Sequence, residues 1–127
     1  MTKINIALKN FNKEELTCKC GCGRFNFDEE FLIRLQAYRY ILAHPMIITS
    51  PGRCVKHNKA VGGVDTSCHQ CETKPATAVD FWCTSMANAY DKACKSGLFN
   101  EVIWYKAKNF IHLGLDRNQT GNYFKIN

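Results

Sequence analysis

The 127-residue chain contains no apolar run long enough to span a bilayer, and its opening stretch, MTKINIALKNFNKEEL, lacks a sustained apolar core of signal-peptide length. Membrane insertion through a helix is therefore not expected, and the chain is expected to be cytoplasmic when synthesised. Repeats and low-complexity segments are absent as well, which argues against a solenoid or an extended disordered chain. Charge of one sign is not clustered. Lys and Arg total 17 against 11 Asp and Glu, a net charge of +6, but the basic residues are scattered and accompany no nucleic-acid-binding motif. A positive surface favours anionic partners in general; nucleic acid is not expected among them.

What is present is the material of one compact domain over residues 1–127. The chain is 46% hydrophobic, 12% aromatic and 22% charged, and it is long enough to bury a core without crosslinks. Eight cysteines are many for this length. Cys18, Cys20 and Cys22 lie in CKCGCG, Cys54 follows Arg53, Cys68 and Cys71 bracket His69, and Cys83 and Cys94 flank an expected helix. The cytosol keeps thiols reduced, so three readings stand side by side: disulfides formed after release, a second structural zinc, or free thiols packed as small apolar groups. C-x-C-x-C lacks the two paired knuckles of a strong zinc motif, which favours the thiol and disulfide readings.

Along the chain, residues 1–27 read as an irregular, cysteine-rich wrap with a short turn after Asn12. Phe31, Leu35, Tyr38 and Leu42 then recur at helical spacing, with Asp28 as cap and Pro45 as stop. MIIT at 46–49 reads as a buried strand and residues 54–61 as a helical turn ending at Gly62 and Gly63. ATAVDFW at 76–82 alternates as a strand with Ala78 and Asp80 on one face. A second helix is expected from Ser85, as cap, to Ser96, with Gly97 as stop. Strands at 101–105, 109–115 and 122–126 follow. The order predicts an α+β fold with two main helices and a mainly antiparallel sheet.

Asp80 is the first functional signal. A carboxylate inside an apolar strand is costly to bury unless a cation or hydrogen bonds compensate it. His69 and His112 could join it: two imidazoles and one carboxylate bind zinc while leaving a fourth position open, which is the catalytic rather than the structural arrangement. His44, before Pro45 at a helix end, reads as a partner of that helix terminus, and His57 and Asn58 read as structural.

The runs ELTCKCGCG, MIITSPGRCVKHNKAVGG, S-x-H at 67–69, A-V-D at 78–80 and FIHLGLD at 110–116 resemble the M15 metallopeptidases, in particular the small phage and bacterial cell-wall peptidases of that group. The resemblance spans roughly residues 12–117, and RCxxHNxAVGG is its most specific block. It implies a Hedgehog/DD-peptidase-like zinc peptidase fold and one zinc ion held by His69, Asp80 and His112. It also implies a monomeric peptidase that hydrolyses peptidoglycan stem peptides, as a D-Ala-D-Ala carboxypeptidase or an endolysin-type endopeptidase, acting in the periplasm or cell wall after release. Arg53 matches the family arginine, a fixed-charge fork suited to a substrate carboxylate or a carbonyl oxygen that becomes negative, and Ser67 would sit beside the first ligand.

The sequence also departs from the family pattern. Gly52 stands where an aromatic residue is usual, and the interval between His69 and Asp80 is longer than in relatives. No acid precedes His112 within residues 106–111, where relatives place the general base. Asp116, read as the displaced acid of the H-x-D pattern, and Glu101 on the neighbouring strand remain as candidates. Cys68 and Cys71 could pair, or one could close the open zinc position. The alternative reading is a non-catalytic module that binds cell-wall fragments or carries zinc structurally.

Overall fold

The structure is a computed structural model in which residues 8–127 are described; residues 1–7 of the expected N-terminal wrap lie outside the described residues. Residues 8–27 hold one short helix, α1 (Lys13–Leu16), closed by a capping box in which Asn12 and Glu15 each accept the other's backbone N–H. Helix α2 (Glu29–Leu42) begins where Asp28 accepts the Phe31 N–H. It ends two residues before Pro45, at Ala43, which adopts the left-handed conformation at φ 58°. Strand β1 (Ile47–Ser50), helix α3 (Val55–Ala60), strand β2 (Ala78–Trp82), helix α4 (Met86–Ser96) and strands β3 (Glu101–Tyr105), β4 (Phe110–Gly114) and β5 (Tyr123–Ile126) complete the order. Ser85 precedes α4 without a side-chain capping bond, contrary to the expectation, whereas Gly97 ends it at φ 71° as the sequence predicts.

The strands form one sheet in the order β1-β2-β4-β3-β5. Three pairings are antiparallel, but β5 runs parallel to β3, so the sheet is mixed. The cause lies at Asn100. Its side chain exchanges two hydrogen bonds with the backbone of Asp116, and its carbonyl accepts the N–H of Tyr123 and the side-chain amide of Gln119. The chain leaving β4 is thereby carried across the start of β3 and laid along its far side.

Residues alternate across the sheet. Val79, Phe81, Val102, Ile111 and Leu113 are fully buried in the core that also contains Phe31, Leu35, Tyr38 and Leu42 of α2 and Ala89 and Ala93 of α4. Tyr38 meets Phe81 and Phe99 edge-on and donates its hydroxyl to the Ala89 carbonyl at 2.6 Å. The opposite face of the central strands carries Asp80, His112, Gly114, Glu101 and Tyr105, which the register places side by side: Asp80 pairs with His112, and Glu101 with Gly114. No helix among the described residues is long and apolar enough to cross a membrane.

Candidate metal centre

Asp80 and His112 are neighbours because β2 and β4 pair in antiparallel register with these two residues opposite each other. His69 arrives from the loop after α3. That loop is fastened to the segment after β1 by a short two-stranded contact: Arg53 N–H donates to the His69 carbonyl at 2.6 Å, and Cys71 N–H to the Arg53 carbonyl at 2.7 Å. The lengthened interval between His69 and Asp80 forms a tight turn in which the Gln70 side chain accepts the N–H groups of Glu72 and Thr73.

His69 Nε2 and His112 Nδ1 each lie 3.0 Å from Asp80 Oδ1 and 3.3 Å from one another. A tetrahedral zinc ion with bonds of about 2.0–2.1 Å holds its ligand atoms about 3.3 Å apart, so the donor set fits that ion in type and in spacing. The opposite ring nitrogens orient both rings. His69 Nδ1 meets the Pro51 carbonyl at 2.9 Å and His112 Nε2 donates to Glu101 Oε1 at 3.0 Å, which turns His69 Nε2 and His112 Nδ1 toward Asp80 as the atoms a metal would bind.

The electrostatics select a cation. Burial works to raise the Asp80 pKa, but the two imidazoles outweigh it and hold the carboxyl well below the usual range. Burial disfavours a charged His112, yet Asp80 and Glu101 on either side push it up to about 9. Glu101 is itself held low, first by its bond to His112. Two carboxylates around one imidazole make a position that a positive charge stabilises.

Arg53 flanks the trio. Its guanidinium lies 3.6 Å from Asp80 Oδ2 and is steadied by Ser50 Oγ at 3.1 Å and Asn58 Oδ1 at 3.3 Å. Asn58, expected to be structural, thus positions the arginine from a buried site that also ties down the Val64 carbonyl. Cys71 lies over Gly52: a Cβ there would meet the Cys71 Cβ at 3.2 Å and its Sγ at 3.3 Å, so the position has no room for a larger residue. Ser67 Oγ accepts the His69 backbone N–H at 3.2 Å.

Arg53, Ser67, His69, Asp80, Tyr105, Lys108, Phe110 and His112 line an open depression of ≈ 260 Å³. Cys68 and Cys71 do not line it, both are free thiols, and among the described residues the group of metal-binding side chains here is His69, Asp80 and His112. Asp116 is also elsewhere. It lines a separate depression with Cys68 and Arg117, its carboxylate accepting the Asn118 N–H at 3.0 Å. The acid that the structure brings to the trio is Glu101. Its signal in the sequence was the small residue opposite: Gly114 has no side chain, and Glu101 fills the space.

No curated protein matches the chain. A family model described as Peptidase M15 does match, over residues 9–114, a span that includes the three donors, Arg53 and Glu101 and stops short of Asp116. On that match, and with a donor set suited to the zinc on which M15 peptidases depend, the chain belongs to the Peptidase M15 family.

Proposed function

We propose that the protein is a zinc-dependent peptidase that hydrolyses peptide bonds of bacterial peptidoglycan stem peptides. The observation that carries this reading is the three-donor centre, closed on the sheet side and opening into a cationic depression. Zinc bound by His69, Asp80 and His112 would supply a Lewis acid that polarises the scissile carbonyl and makes water a stronger acid. The remaining chemistry belongs to the chain. Glu101 keeps a proton on His112 Nε2 and so presents Nδ1 as a ligand. Pro51 does the same for His69.

Arg53 and Lys108 give the depression two positive side chains, and Arg53 is the one held rigidly. A fixed guanidinium beside the reacting centre suits the terminal carboxylate of a D-Ala-D-Ala stem or the oxyanion formed from an internal amide. Ser67 holds the His69 backbone and offers its hydroxyl to the substrate from the same wall. Of the two candidate acids, Glu101 is the one in contact with the trio, through His112 Nε2 and behind the ring instead of in the lining of the depression, and on that contact we assign it proton transfer as well as the holding of His112. Action in the periplasm or cell wall, after release from the cytoplasm by another protein, is part of the same proposal.

A second reading, a non-catalytic module that binds cell-wall fragments, is favoured by one observation: Asp80 is the sole acid among the residues lining the depression. Incubating the zinc-loaded protein with purified peptidoglycan and with a D-Ala-D-Ala-terminated stem peptide separates the two. Release of D-Ala or of new amino termini, abolished by Asp80→Ala, establishes the peptidase; binding without turnover of either substrate establishes the module.

A further inference from the structure

A second cluster of metal-binding side chains lies away from the depression. The sulfurs of Cys18, Cys20, Cys22 and Cys54 all stand within 4.8 Å of one another. Cys20 Sγ is 3.6 Å from Cys18 Sγ and 3.6 Å from Cys54 Sγ. A disulfide requires about 2.05 Å, and all four thiols are free. A tetrahedral zinc with bonds of about 2.3 Å to sulfur places its ligands about 3.8 Å apart, close to the spacing seen.

The backbone is shaped to this end. In an extended strand, alternate residues share a face but stand about 6.5 Å apart, too far for three sulfurs to reach one ion without a bend. Gly21 at φ 89° and Gly23 at φ 80° supply that bend. A Cβ at either position would meet nothing within 4 Å, so glycine serves here for conformation and not for room. The loop is closed by Cys18 N–H donating to the Arg24 carbonyl at 2.9 Å.

The surroundings suit thiolates. Cys54 N–H points at Cys18 Sγ at 3.4 Å, and His57 N–H at Cys54 Sγ at 3.3 Å. Such donors spread the negative charge of a metal-bound sulfur and orient it. Arg24, Lys56 and Glu72 line the adjoining depression together with Cys20, Cys22 and Cys54; Glu72 pairs with Arg24 at 3.6 Å, which leaves Lys56, among the described residues, as the unopposed cation beside a tetrathiolate site.

We infer that Cys18, Cys20, Cys22 and Cys54 form a structural zinc site, additional to the His69, Asp80 and His112 centre and closed by four protein ligands. Binding releases the thiol protons to solvent and needs no oxidant, so the site fills in a reducing compartment. Its place in the fold gives it a purpose. Cys54 follows Arg53, whose backbone is bonded to His69, and Pro51, which holds the His69 ring, lies three residues before Cys54. The thiolate site anchors the residue 17–24 loop to the segment that positions the first zinc ligand and the arginine.

Metal content of the full chain, prepared under reducing conditions, tests this independently of any peptidase activity. The wild type is expected to hold two zinc equivalents, and a double variant Asp80→Ala, His112→Ala to retain one. Cobalt substituted into that double variant should give the intense near-ultraviolet sulfur-to-metal bands of a tetrathiolate. Adding Cys20→Ser or Cys22→Ser, both exposed positions, should remove the bands and the remaining zinc while far-ultraviolet circular dichroism shows a folded chain. A double variant that binds no zinc, cobalt bands that survive the serine substitutions, or a native mass showing disulfide hydrogens lost from these four cysteines would each overturn the inference. Absence of turnover in the wild type would count against the peptidase reading and leave this one intact.

Discussion

The carboxylate of Glu101 occupies the space that a side chain on Gly114 would need. The two residues face each other across β3 and β4, and a Cβ on Gly114 would collide with Glu101 Oε1 and come within 3.0 Å of His112 Nε2. The acid that meets His112 thus comes from the adjacent strand, and the absence of a side chain at position 114 is the condition for it.

Gly114→Ala should therefore displace Glu101 from His112 without disturbing the fold. Zinc affinity at the three-donor centre is expected to fall about 10- to 100-fold, the usual loss when the partner of a ligating histidine is removed. Competition with a chelator measures it. An unchanged affinity would show that Glu101 does not hold the imidazole.

Glu101→Gln separates the two roles assigned to that residue. Glutamine can still accept from His112 Nε2 through its amide oxygen but cannot take a proton. Proton transfer predicts a kcat lowered by about 10²-fold or more in zinc-saturated protein with KM little changed; a holding role alone predicts near-normal kcat once zinc is saturating.

Asp116→Asn should leave zinc content and turnover unchanged, because Asp116 faces another depression and asparagine keeps the acceptor for the Asn118 N–H. Asp80→Ala should abolish both. Loss of turnover in Asp116→Asn would restore Asp116 as the catalytic acid and displace Glu101.

Asp28 makes a pH-dependent contribution to stability. Burial works to raise its pKa, but the Arg117 guanidinium at 2.8 Å and the Phe31 N–H hold it below the usual carboxylate range. With the folded value depressed, the stabilisation is fully present above the unfolded value and is lost as pH falls through the folded one. Asp28→Asn, which keeps a capping side chain, should cost about 0.5–1 kcal/mol at neutral pH. Urea melts of the two proteins should converge in strong acid.

Tyr38→Phe removes the buried hydroxyl that bonds Ala89 while keeping the ring packed on Phe81 and Phe99. A loss of about 0.5–1.5 kcal/mol is expected, seen as a lower urea midpoint with an unchanged slope. No change would mean that the hydroxyl of α2 does not help hold α4.

Those features of the sequence that depend on local spacing were legible in advance. Helix α2 followed from Phe31, Leu35, Tyr38 and Leu42, and β2 from the alternation that put Asp80 opposite Phe81 in facing direction. Features set by pairing between distant segments were not. The role of Glu101 depends on the register that puts it across from Gly114, and the parallel course of β5 depends on Asn100 gripping Asp116. CKCGCG looked incomplete because its fourth sulfur, on Cys54, comes from a segment brought near only by folding.

The ligands differ in how firmly the fold holds them. Asp80 and His112 sit on β2 and β4, each with a bonded strand on both sides, whereas His69 rides on a loop. Amides of doubly flanked strands exchange hydrogen with solvent only when much of the molecule opens, while loop segments open on their own at far lower cost. For the proposed zinc site this would give loading and release a direction: the two strand residues would form a standing seat, and His69 would be the latch, the last donor to close and the first to let go.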